Sequence, residues 1–129
     1  MEKNSDSDFA EMISKLNTSS IQVHIFHWQV KGQGSYAAHQ AFGSYYEAIP
    51  GLIDGLVESY QGKYSILKGY KKYDIEDYKD TKTTINYLKD LYGKVEDLRD
   101  CCKDSYIQNQ IDNVDQLIYS TLYLIKELS

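Results

Sequence analysis

The chain has 129 residues, a formal net charge of -5 and a pI near 5.1. That length builds one hydrophobic core and is too short for two, and the acidic balance excludes attachment to a nucleic-acid backbone except through a local basic cluster. The candidate cluster, Lys63, Lys68, Lys71 and Lys72, is followed at once by Asp74, Glu76 and Asp77, which cancel its field and mark a solvated loop.

The N-terminus, Met1-Glu2-Lys3-Asn4-Ser5-Asp6, lacks the apolar core of a secretion signal, and no apolar run approaches the ~20 residues that cross a bilayer. These features predict a soluble, cytoplasmic protein with no membrane partner. Phe9, Met12, Ile13, Leu16, Ser20, Val23, His27 and Val30 then step by three and four, which predicts a helix over about 8–31 with Ser5 or Ser7 as its cap. Gly32 and Gly34 stop it. A second helix is predicted over about 36–61, carrying Ala38, Phe42, Tyr45, Tyr46, Ile49, Ile53, Leu56, Val57 and Tyr60 on its apolar side. Pro50 inside this run removes one backbone hydrogen bond and predicts a kink, eased by Gly51.

From Gly62 to Asp80 the periodicity fails, which predicts a long connection with room for one short helical turn. Asp80 or Thr81 is placed to cap a third helix over about 81–103, with Ile85, Leu88, Leu91, Tyr92, Val95, Leu98 and Cys102 facing inward. A fourth, opened by Asp104 or Ser105, is predicted over about 106–128 through Ile107, Ile111, Val114, Leu117, Ile118, Leu122, Ile125 and Leu128. Four amphipathic helices joined by short, long and short links describe an all-α, four-helix bundle of ferritin-like connectivity, one domain over 1–129. The adjacent Cys101 and Cys102 cannot staple distant segments and read as reduced thiols, one buried and one at the surface.

Side chains able to bind iron or zinc concentrate between His27 and Glu58. At ~100° per residue Asp54 and Glu58 fall within about 40° of each other on the second helix, with Glu47 between them in angle. His39 precedes them on the same helix, and His27 projects from the helix before. His39 and Glu58 are separated by nineteen residues, ~28 Å of helix, so one subunit cannot bring both to one metal. A shared site requires two antiparallel subunits, each offering its histidines to the other's carboxylates across a two-fold axis.

The run His27-Trp28-Gln29-Val30-Lys31-Gly32, then His39, then Asp54 and Glu58, resembles the Dps-like branch of the ferritin-like superfamily. It is similar still more closely to small phage-encoded relatives, with Tyr46, Glu47 and Tyr60-Gln61-Gly62-Lys63-Tyr64 in step. The specific match covers about residues 23–64; the later helices agree in pattern. In Dps proteins this constellation is an intersubunit ferroxidase centre that oxidises Fe(II), commonly with hydrogen peroxide, and feeds a ferric core inside a twelve-subunit shell.

The resemblance implies His27 and His39 as ligands from one subunit and Asp54 and Glu58 as ligands from its partner. Trp28 and Tyr46 would be redox neighbours. It implies a homo-oligomer, at least a dimer and by extension a dodecamer, that sequesters iron and protects against oxidative damage. One departure stands out: the family usually places an aspartate one turn after the second histidine, and here that position is Gly43. Glu47 and His24 are the further candidates to replace it. Ordinary roles compete, since a lone helical histidine such as His24 is more often a surface or core-edge residue than a ligand, and most of the 13 tyrosines read as helix-face filler. The alternative function is a phage accessory or virion-associated scaffold whose site is degenerate or binds zinc. Direct nucleic-acid binding is not expected, because residues 1–8 hold one lysine against Glu2, Asp6 and Asp8.

Overall fold

A computed structural model describes residues 5–128, which form a four-helix bundle: α1 (Ser5–Gln29), α2 (Ser35–Lys63), α3 (Thr81–Leu98) and α4 (Ser105–Leu128). Ser5 and Ser7 already lie inside α1, so the cap expected of them falls outside the described residues. The α1–α2 link is short because Gly32 and Gly34 take positive φ (102° and 79°), where a side chain would be strained, and Ser35 N–H closes the turn on the Gly32 carbonyl at 3.1 Å. α2 continues through Pro50 as one helix of 29 residues.

Residues 65–80 hold no helix at all, so the short helical turn expected there is absent. What orders this segment is α1. Lys71 N–H donates to Ser14 Oγ (2.9 Å); Gln22 takes the Glu76 N–H and returns a bond to the Glu76 carbonyl (both 2.7 Å); Gln29 Oε1 takes the Tyr78 N–H (2.6 Å). The crossover therefore climbs α1 from its first half to its last turn. α2 ends beside the start of α1, where Tyr60 stacks on Phe9, ring centroids 4.3 Å apart. It follows that α3 starts at the opposite end and runs antiparallel to α1. Asp80 caps α3, its carboxylate accepting the Thr83 N–H at 2.8 Å. α3 stops at Leu98 rather than near residue 103: a 3-10 turn, Arg99–Cys101, tightens the end before α4 begins.

Around the bundle each helix touches two others: α1 packs on α2 and α3, and α4 closes the ring against both. Phe9, Leu16, Phe42, Leu56, Leu88 and Ile111 are among the residues that fill the centre. The periodicity is followed at the centre of each helix's apolar face, while Val57, Ile85, Leu98 and Leu117 lie half-buried at its margins. Ser20, His27 and Val30 are only half-buried, and Leu128 is exposed. Ser19 takes the interior place, its hydroxyl 2.7 Å from that of the fully buried Tyr45, so two polar groups satisfy each other in the core. Cys102 is buried and Cys101 half-buried, with the sulfurs 3.3 Å apart and unbonded. No helix among the described residues is long and apolar enough to cross a membrane.

Arg99 holds the α3–α4 turn. Its guanidinium reaches Glu96 (3.0 Å), Asp112 (2.7 Å) and Asp115 (3.3 Å), while Gln108 bonds its Nε. Burial, and a hydrogen bond that favours the protonated acid beside Glu96, push Asp115 up to about 8. Folding then takes up a proton between about pH 4, where an unfolded aspartate titrates, and about 8. Stability is expected to fall as pH rises through that window. Urea titrations at its two ends check this, and Asp115→Asn, which keeps the shape without the charge, should flatten the dependence and raise the midpoint at the alkaline end.

Candidate metal centre

The short glycine turn brings the last turns of α1 beside the first turns of α2, and with them His24, His27 and Trp28 beside His39, Gly43 and Tyr46. The His27 and His39 rings stack with centroids 3.8 Å apart and planes inclined by 18°. Their bonding is reciprocal: His27 Nδ1 meets the His39 carbonyl and His39 Nδ1 meets the His27 carbonyl, each at 2.8 Å. A carbonyl only accepts, so both Nδ1 atoms carry hydrogen. In the neutral rings both Nε2 atoms then hold a lone pair, the state of a metal-binding imidazole whose other nitrogen is oriented by a backbone acceptor.

Gly43 belongs to this arrangement. A Cβ at this position would lie 3.1 Å from His27 Cε1 and 3.3 Å from its Nδ1, inside comfortable contact. The residue that looks like a lost ligand is thus the space in which the His27 ring lies. Gly43→Asp is expected to shift that ring off the His39 carbonyl, destabilising the fold by about 1–3 kcal/mol through overpacking, and to weaken any zinc binding by the two histidines rather than to add a ligand. Thermal melts and a zinc titration of the variant check both.

His24 stands in an aromatic stack, 3.8 Å from Tyr46 at 16° and 4.0 Å from Trp28, with its centroid 6.1 Å from His27. Tyr46 is in turn 5.3 Å from His27. The indole of Trp28 is 66% exposed. Five of the sequence candidates therefore share one corner of the chain: His24, His27, Trp28, His39 and Tyr46.

The carboxylates do not join them. Asp54, Glu58 and Glu47 are exposed on α2, and none of the three forms an ion pair among the described residues. Because α2 is continuous from Ser35 to Lys63, nineteen residues of helix keep Glu58 ~28 Å from His39. Among the described residues no group of three or more metal-binding side chains converges within one chain. One residue of the His-Trp-Gln run has a role that ligand chemistry does not signal: Gln29 accepts from Tyr78 N–H and donates to Asp77 (3.0 Å), pinning the crossover to the last turn of α1. The signal that finds it is Gln22, two helical turns earlier on the same face of α1 and bonded to the crossover in the same way.

No curated protein and no solved structure matches the chain. Residues 27–125 match a family of unknown function, DUF5856, a span that contains both stacked histidines, both carboxylates and the whole of α2 and α3. Since the match covers most of its length, the chain belongs to the DUF5856 family.

Proposed function

We propose that this protein is an iron-binding bundle of Dps type that works as a two-fold pair, each subunit's His27 and His39 facing the partner's Asp54 and Glu58. The observation that carries the reading is the reciprocal bonding of the two histidines, which commits both Nδ1 atoms to backbone carbonyls and leaves the Nε2 of each neutral ring with its lone pair. Two exposed carboxylates one turn apart on α2, without an ion pair among the described residues, complement them at a distance that only a second chain closes. Exposed Ile21 and Trp28, two turns apart on α1, give the pair an apolar contact. The order of the helices around the bundle and the crossover along α1 support a ferritin-like topology.

Fe(II) is the substrate. Imidazole nitrogens and carboxylate oxygens hold it, and the carboxylates offset the charge that grows as it becomes ferric. Hydrogen peroxide is the oxidant: it accepts one electron from each of two irons and, with two protons, leaves as water. Removing both reagents suppresses hydroxyl radicals and protects nucleic acid without touching it. In this reading Tyr46 and Trp28 act as redox neighbours, His24 and Glu47 as auxiliary ligands, and the pair as the unit of a dodecameric shell in the cytoplasm. Gly43 favours a second reading, because one oxygen ligand fewer suits zinc: an accessory scaffold, phage-encoded, that binds zinc or no metal.

The test adds Fe(II) anaerobically, then peroxide, and follows ferric absorbance. Wild type is expected to oxidise iron on the order of a hundredfold faster than the His27→Ala, His39→Ala variant, with far-UV helicity equal in both. Equal slow oxidation retires the ferroxidase, and stoichiometric zinc without oxidation selects the second reading.

A further inference from the structure

A cavity of about 260 Å³ lies away from the histidines, between α1 and α3 and under the crossover. Its roof is fixed at both ends. Lys71 is tied to Ser14 and Glu76 is clamped twice by Gln22, so Tyr73 and Asp74 arch between two anchors and the space beneath them is preformed. Burial and the nearby Glu11 keep the Tyr73 phenol protonated, and its ring carries the Lys15 ammonium 3.9 Å above its centre. α3 supplies Asp90 and Lys94 from successive turns, with Leu91 buried between them. Deeper in, Tyr87 packs edge-on against Phe26 and its hydroxyl has no hydrogen-bond partner among the described residues.

The charges decide what fits. Two ammonium groups, Lys15 and Lys94, and two carboxylates, Asp74 and Asp90, line one small space, yet none of the four forms an ion pair among the described residues. Asp90 and Lys94 are four apart on one helix, a spacing at which opposite charges ordinarily meet, and here they remain separate at the cavity's edge. The four charges that line the cavity sum to zero, which disfavours a simple anion or a simple cation. The volume is below the range of drug-sized pockets, and Leu91 with the two tyrosine rings gives one apolar wall.

We propose that this cavity binds a small zwitterion bearing an apolar substituent, of the free amino-acid class, with its carboxylate met by the lysines and its ammonium by the aspartates. The site is independent of the histidine pair and stands whether or not that pair binds iron. L-leucine and L-phenylalanine are the probes, titrated to millimolar concentration into the isotopically labelled full chain while amide resonances are followed. Leucine is compared with isopentylamine and 4-methylpentanoate, each keeping one charge and the side chain. The expected result is saturable shifts at Tyr73, Asp74 and Lys94 with either amino acid, and affinity weaker by about tenfold or more for both single-charge analogues and for Asp90→Asn and Lys94→Gln. Both substitutions lie at the cavity's rim, and unchanged spectra elsewhere show that they fold. No shift with either amino acid overturns the proposal. So does equal binding of the amine or the acid alone, or unchanged affinity in both variants.

Discussion

Two inactive chains are expected to make an active one. A chain lacking the histidines (His27→Ala, His39→Ala) and a chain lacking the carboxylates (Asp54→Ala, Glu58→Ala) should each oxidise no iron above background. Refolded together in equal amounts, they should regain about a quarter of wild-type activity, because half of the random pairs are mixed and each mixed pair rebuilds one complete site of two. The expectation rests on the proposed two-chain site and on α2, whose unbroken run from Ser35 to Lys63 keeps His39 near one end and Asp54 and Glu58 near the other. Stopped-flow ferric absorbance of the mixture reads it. Recovery near zero would mean that the histidines and carboxylates do not serve one site.

The largest expected loss of stability follows Phe42→Ala. Phe42 is fully buried, lies 5.8 Å from Phe26 between ring centres, and immediately precedes Gly43, so it supports the core and the first turns of α2 where the His39 ring is set. Truncating a buried phenylalanine costs about 3–5 kcal/mol, from lost transfer energy and from the cavity left behind. Against a total of about 5–15 kcal/mol for a domain of this kind, that removes a large fraction of the stability, and a urea titration will show it as a shifted midpoint. Tyr36→Ala, three residues before the ring it would disturb if proximity alone mattered, removes a side chain that is 73% exposed and should stay within about 0.5 kcal/mol.

The helices were legible because their apolar residues recur every three or four positions, a pattern that Leu88, Leu91 and Val95 on α3 and Ile107, Ile111 and Val114 on α4 follow into the core. Their ends were less so: nothing in the run Asp97-Leu98-Arg99-Asp100 announces that Arg99 will gather three carboxylates and tighten the turn, since the partners Asp112 and Asp115 come from the next helix. Spacing alone placed His27 and His39 near each other. The stack, the exchanged backbone bonds and the fit of the His27 ring over Gly43 depend on how two helices cross, which spacing does not encode. Gln22 and Gln29 escaped notice for the opposite reason, as ordinary polar residues on a helix that acquire their role from a crossover fifty residues away.

Trp28 is the only tryptophan of the chain, and its indole stands largely in water against the His24 ring. The protein therefore carries its own fluorophore at the corner where its histidines meet. A second chain laid over that corner would move the indole from water into an apolar contact and shift its emission to the blue, and a bound paramagnetic ion would quench it. Covering of that corner by another chain and arrival of such an ion would thus be read as two separable optical signals from unlabelled protein.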